Sequence, residues 1–393
     1  MRHRSTVAVD LARIEAKVEA GERLSRDDAL ALYASGDLAA LGRLADCARQ
    51  RRHGRIAYYI VNAHVNYTNV CINRCRFCAF AKEPDDSEGY LLTPEKVIEQ
   101  AAPDVKAGAT EVHVVGGLHP EVDLDYYLAL VGGLREAFPA VCIQALTAVE
   151  VEYAARRAGL AVRTVLERLK EAGLTGLPGG GAEIFDPGVR RRICPRKISG
   201  AEWLDVHRRA HRAGLATNAT MLYGHIEGPE HRVDHLLALR DLQEESLRAN
   251  GDEQAGRFQA FIPLPFYPEG TALSDLPGPT AYDDLKTMAV ARLVLDNVEH
   301  IKAFWIMLTP DLAQVALRFG ADDIDGTVVR EEITHAAGAR TPEALAPDQL
   351  RYLIHAAGCE PLERDTLYRR IVRQERFADW TIPPGISLSE RKP

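Results

Sequence analysis

From residue 55 to residue 308 the chain alternates short apolar runs with amphipathic stretches of helical period, and this alternation restricts the fold more than any other feature. A β-rich stretch over 55–70 leads to a helix over 93–107, with Thr93 as N-cap and Pro94 at the first helical position. Strands expected over 110–115, 141–146, 215–222, 258–263 and 301–308 alternate with helices over 125–138, 161–172, 201–213, 229–245 and 282–295. Strands joined through helices pair in parallel by right-handed crossovers. About seven such units predict an α/β fold, a whole or partial (β/α) barrel. Polar residues and glycines gather just after the strands, where a barrel builds its active site. Residues 1–50 read as an N-terminal helical extension in which Ser25 caps a helix. Residues 51–310 read as the barrel and 311–393 as a C-terminal helical cap and tail. The polar stretch 245–257 reads as an inserted surface loop.

The 393 residues are 46% hydrophobic and carry a net charge of −8, which disfavours nucleic acid as a partner. No apolar run is long enough to span a bilayer, so no membrane partner is expected. The basic start Met1-Arg2-His3-Arg4 is followed by no apolar signal core, so a cytoplasmic location is expected. The chain has seven cysteines, an odd number, and four of them lie far from one cluster of three, which argues against a disulfide framework. Cys47, Cys142, Cys194 and Cys359 read as inert core thiols.

Cys71, Cys75 and Cys78 form a C-x3-C-x2-C motif directly after the first strand of the array. Thiolates hold iron–sulfur clusters. Three close cysteines ligate three irons of a cubane and leave the fourth open, as catalytic metal sites keep a position for substrate. A structural zinc knot would want a fourth nearby ligand, and the nearest candidates, His53 and His64, both lie upstream. A non-catalytic metal-binding module is the reading from a different class.

The motif, with aromatic Phe77 before its last cysteine, resembles the radical S-adenosylmethionine superfamily. His64-Val-Asn66-Tyr67-Thr68-Asn69 before it and Ala79-Phe80 after it resemble the menaquinone and deazaflavin branch. Four segments resemble the aminofutalosine synthase family: 111–120 around Gly116-Gly117-Leu-His119-Pro120, Thr147-Ala-Val-Glu150, 177–185 around Gly179-Gly180-Gly181-Ala-Glu183, and 217–227 ending Tyr223-Gly224-His225-Ile-Glu227. Ala321-Asp322-Asp323-Ile-Asp325-Gly326-Thr327 adds to the likeness, which covers roughly residues 55 to 370. The resemblance implies a [4Fe-4S] cluster on Cys71, Cys75 and Cys78 and S-adenosylmethionine as co-substrate. It further implies a reductant such as flavodoxin or ferredoxin. The implied reaction adds a 5′-deoxyadenosyl radical to 3-[(1-carboxyvinyl)oxy]benzoate, with rearrangement and loss of carboxylate, giving 6-amino-6-deoxyfutalosine. Dehypoxanthine futalosine cyclase, of the same superfamily, is the nearest alternative. Oligomeric state stays open, a homodimer among the options.

The other candidate residues each carry a plain structural alternative. Val115, Gly116 and Gly117 follow the second strand, where a glycine pair lets backbone approach the methionine amino group or simply forms a turn. Thr147 and Glu150, read as ending the third strand, suit ribose hydroxyls or a surface turn. Gly180 sits in a triple glycine that lets a loop pass close to a ligand, and Glu183 reads as a ligand group or a helix-start carboxylate. Asn218 and Thr220 share one strand face, Met221 and Tyr223 the other, and either set fits the barrel interior. His225, past the strand end, is an acid–base candidate or a hydrogen-bonded loop histidine. Arg190-Arg191-Arg192 reads as a charged helix face.

Overall fold

The computed structural model describes residues 11–250 and 256–373. Seven strands form one parallel sheet in chain order. With the preceding strand numbered β1 (Ile56–Ile60), they are β2 (Asn62–Asn66), β3 (Glu111–Val115), β4 (Cys142–Ala145), β5 (Gly176–Leu177), β6 (Ala216–Tyr223), β7 (Phe258–Pro265) and β8 (His300–Ile301). The helices between them cover the outer face, as the alternation predicts. A second parallel sheet sets β1 between β9 (Asp323–Gly326) and β10 (Glu360–Arg364). Isolated bridges from Lys302 to Asp323 and from Ala63 to Val329 lay the β9 segment between β8 and β2. The curled sheet is thereby drawn toward closure by residues far from it in sequence.

Three helices precede β1: Leu11–Ala20, Arg26–Ala34 and Leu38–His53. Ser25 and Asp28 form a capping box on the second of them. Thr93 caps the helix Pro94–Lys106 through Lys96 N. Among the described residues no helix is long and apolar enough to cross a membrane.

Several expectations change. The strand expected over 301–308 stops at Ile301, and Trp305–Leu308 forms a turn of helix. The Trp305 indole, wholly buried, donates to Gly326 O at 2.8 Å. A short apolar run buried on every side carries no period that separates strand from helix. The C-terminal part has helices at Pro310–Ala316, Ile333–Ala336 and Pro347–Ala356, but also contributes the strands β9 and β10. The helix expected over 229–245 runs to Asn250, into the stretch read as a loop; residues 251–255, like the tail from 374, lie outside the described residues. Cys47 is exposed and so is not a core thiol, whereas Cys142, Cys194 and Cys359 are buried.

Candidate active site

The strand pleat decides which side chains face inward. Asn218, Thr220 and Leu222 of β6 line a central cavity of about 340 Å³. Tyr223 points outward and donates to Asp284 Oδ1 at 2.7 Å. The face left open by the alternation is therefore the Asn218–Thr220 face.

The cysteine loop closes one end of this cavity. Cys71, Cys75 and Cys78 all line it, and all are free thiols. Backbone bonds clamp the loop from three sides: Cys71 N to Lys82 O (3.1 Å), Ile72 N to Leu118 O (3.1 Å) and Arg76 N to Ile193 O (2.8 Å). Arg74, between the first two cysteines, takes a left-handed φ of 49°. Burial pushes the Cys75 and Cys78 thiols up, and the Lys197 ammonium opposes this at both. Thiolates held here therefore call for positive charge, which a bound metal supplies.

Gly116 and Gly117 leave no room for a side chain. A Cβ on Gly116 would sit 2.7 Å from the Tyr67 ring, and one on Gly117 would sit 2.2 Å from Val70 O. Glycine here lets the end of β3 lie against the cysteine loop. Thr147 and Glu150 do not end a strand on the surface. They are the N-cap and third residue of a capping box on the helix Ala148–Ala158. The buried Glu150 carboxylate collects Thr147 N (2.6 Å), Thr147 Oγ1 (2.7 Å), Tyr67 OH (2.8 Å) and Gly116 N (3.3 Å). It is thus a positioning residue that ties the Gly116 backbone to a helix start.

The triple glycine passes close to β6. A Cβ on Gly179 would meet Asn218 O at 2.8 Å, Thr220 Oγ1 donates to Gly179 O (2.7 Å), and Trp203 Nε1 donates to Gly180 O (3.1 Å). Arg190 is not part of an exposed face. It is buried and donates to Ala182 O at 2.5 Å and Ile184 O at 3.2 Å, which fixes the loop after the glycines. Glu183, at a left-handed φ of 50°, pairs with Lys197 at 2.6 Å, and Lys197 Nζ lies 5.3 Å from the Phe77 ring centroid. Burial would lower the Lys197 ammonium, but Cys75, Glu183 and Cys194 together raise it.

Residues 65–239 match the radical SAM superfamily, and residues 255–376 match the CofH/MqnC C-terminal region. The chain belongs to the radical SAM superfamily. An aminodeoxyfutalosine synthase of Thermus thermophilus is 45% identical over 362 residues, which is 91% of this chain and 95% of that protein. One of Streptomyces coelicolor is 42% identical, over 93% and 95%. A 5-amino-6-(D-ribitylamino)uracil–L-tyrosine 4-hydroxyphenyl transferase of Methanopyrus kandleri is 42% identical, over 84% and 88%. The crystal structure of a methylornithine synthase superposes with a TM-score of 0.69 at 20% identity, covering 88% of this chain and 97% of that one, a likeness of fold alone.

A radical SAM enzyme uses a [4Fe-4S] cluster and S-adenosylmethionine, and the residues fit both. Three free thiols line the cavity. Asn66 Oδ1 and Asn218 Oδ1, buried on the cavity wall, have no partner within the chain. Buried polar atoms without partners are costly unless a ligand satisfies them. Phe77, Val115, Gly116, Gly117, Thr147, Glu150, Gly180, Glu183 and Asn218 all line the cavity.

His225 does not. Its side chain is wholly buried, with Nδ1 2.7 Å from Glu227 Oε2 and Nε2 3.1 Å from Leu222 O. Both ring nitrogens are engaged beyond the strand end, outside the cavity lining, so the acid–base assignment gives way to the loop-histidine reading. Sequence reasoning missed Lys197, Lys302, His113 and Asp325, all of which line the cavity, and gave His64 no place in it. Inward period-2 spacing on β2 and β3 could have found the two histidines. Lys197 and Asp325 lie outside regular alternation and left no such signal.

Proposed function

We propose that this radical SAM enzyme adds the 5′-deoxyadenosyl group of S-adenosylmethionine to 3-[(1-carboxyvinyl)oxy]benzoate, with rearrangement and loss of one carboxylate, giving 6-amino-6-deoxyfutalosine. The observation that carries the proposal is the match to two aminodeoxyfutalosine synthases, at 45% and 42% identity over 91% and 93% of this chain. The geometry supports it, since one cavity holds three thiols at one end and apolar walls with buried polar groups beyond them.

When bound on Cys71, Cys75 and Cys78, the cluster would supply one electron to S-adenosylmethionine and so break its carbon–sulfur bond. The chain's own part is placement and exclusion. Glu150 holds the Gly116 amide, and Gly116-Gly117 keep the end of β3 free of side chains where the methionine moiety would lie. Asn218 and Glu183 face the same space and suit the adenosyl hydroxyls and amines. Ile262, Leu264, Phe304 and Met307 give an apolar wall that keeps water from the reacting carbons. The electron would come from a low-potential carrier such as flavodoxin or ferredoxin.

The test is anaerobic reconstitution with iron and sulfide, then S-adenosylmethionine, a strong reductant and the carboxyvinyloxy-benzoate, with products read by mass spectrometry. An adenosyl adduct of the benzoate skeleton lacking one carboxylate is the expected result. Free 5′-deoxyadenosine with untouched benzoate overturns the substrate assignment. Turnover of L-tyrosine with 5-amino-6-(D-ribitylamino)uracil instead would move the chain to the archaeal activity.

A further inference from the structure

Opposite the thiols, the cavity ends in a buried polar floor that neither cluster nor S-adenosylmethionine binding accounts for. His64, His113 and Gln144 stand side by side on β2, β3 and β4, in paired register, all facing in. The two imidazoles stack with centroids 4.4 Å apart and planes 3° from parallel. Lys302 enters from the end of β8.

Two groups on this floor lack a hydrogen-bond partner. Gln144 is 1% exposed, and its Nε2 bonds to nothing within the chain. The Lys302 side chain is 6% exposed, and its ion pair with Asp325 Oδ1 spans 3.8 Å, too long for a hydrogen bond. Three ammonium N–H groups and two amide N–H groups therefore open on the same space. The neighbouring carboxylate of Glu111 is already used, by Thr366 Oγ1 at 2.7 Å and Asn62 Nδ2 at 3.4 Å. Among the described residues, Lys197 and Lys302 are the lysines lining the cavity and no arginine joins them. Lys197 is paired with Glu183 beside the cysteines. That leaves Lys302 as the cation for a ligand at the far end.

We infer that Lys302 and Gln144 form a carboxylate-binding subsite that anchors the ring carboxylate of the benzoate substrate. The inference rests on the substrate reading above. The reacting enol-ether carbon must lie toward the thiols, where the adenosyl group is released. The ring carboxylate, at the other end of the same molecule, then points to the floor. Ile262 and Phe304 lie on the wall near Lys302 and suit the arene between the two ends. A carboxylate meeting an ammonium and an amide N–H forms charge-assisted hydrogen bonds, and a neutral amide in its place does not.

The experiment compares equilibrium binding of 3-hydroxybenzoate and its neutral analogue 3-hydroxybenzamide to the reconstituted enzyme, as wild type, Lys302→Met and Lys302→Arg. The wild type is expected to prefer the acid by about tenfold or more. Lys302→Met is expected to bind the two alike and to raise KM for the carboxyvinyloxy-benzoate by about tenfold. Lys302→Arg, which restores a cation, should recover most of the preference. No acid preference in the wild type overturns the subsite, and so does an unchanged preference in Lys302→Met. The wild-type ratio decides the matter alone if the methionine variant does not fold. Acid preference in a wild type that does not convert the carboxyvinyloxy-benzoate supports the subsite and sinks the substrate reading; conversion without acid preference does the reverse.

Discussion

Gly117→Ala tests whether the contact between the end of β3 and the cysteine loop sets cluster loading. The new Cβ would lie 2.2 Å from Val70 O and 2.8 Å from Cys71 Cβ, so backbone and not a flexible side chain must move, by about 1 Å. Neither strand can slide to absorb this. Gly117 N donates to Thr68 O at 3.1 Å, and Ile72 N to Leu118 O at 3.1 Å, stitching the two segments on either side of the clash. Overpacking of this kind costs about 1–3 kcal/mol, which lowers the melting temperature by only a few degrees in a chain of this size. A displacement of about 1 Å at the cysteines acts more strongly on chemistry, with losses on the order of 10²-fold. The expected result is a folded protein with reduced iron per chain after reconstitution and cleavage of S-adenosylmethionine slowed by about that factor. Gly132→Ala is the control. It lies inside the helix Leu124–Ala137 with nothing within 4 Å of its Cβ, and should stabilise by about 0.5–1 kcal/mol. Gly117→Ala with wild-type iron and wild-type cleavage would refute the packing argument.

Three further outcomes follow from the same geometry. Cys75→Ala should abolish cluster-dependent cleavage of S-adenosylmethionine while the far-ultraviolet circular dichroism stays native; retained cleavage would remove the cysteine assignment. Glu150→Gln turns an acceptor of four donors into a group whose NH2 faces other donors, and should cost about 1–3 kcal/mol in chemical denaturation. Burial raises the Asp284 carboxyl from 3.8 to about 6, against the Tyr223 hydroxyl that donates to it. The folded state then keeps a proton that the unfolded chain has lost between about pH 4 and 6, so stability falls by about 3 kcal/mol as pH rises through that window. Asp284→Asn cannot ionise and should lack this slope, which urea midpoints taken across pH 4 to 7 will show; parallel curves for the two proteins would contradict it.

The parallel architecture was legible because its signals are local. Apolar period and caps such as Ser25 and Thr93 belong to single segments, and each places its helix correctly. The closure was not legible, because it depends on pairing across the chain. β1 lies between strands whose partners are more than 260 residues away, as with Tyr58 against Asp323 and Leu362. Nothing in the 55–70 stretch marks its first half for one sheet and its second half for another. The two-residue strand β5 hid for the opposite reason, since Gly176-Leu177 is too short to show a period.

Within the site, spacing and motif picked out the three thiols and much of the cavity lining, such as Gly116, Glu183 and Asn218, and missed Lys197, Lys302 and Gln144. Three thiols in eight residues are diagnostic because few other arrangements require them. Glu150 shows the limit of the approach. Its position after Thr147 is a capping-box pattern, readable as structure, yet Glu150 also lines the cavity, where the same carboxylate that caps a helix fixes the Gly116 amide. His225 shows the converse. A titratable residue past a barrel strand is a fair candidate, yet Glu227 two residues on takes one ring nitrogen and Leu222 O the other, leaving no atom for substrate. A polar residue near a strand end thus becomes a candidate for chemistry only once its partners are counted, and by that measure Lys302, Gln144 and Asn218 outrank it.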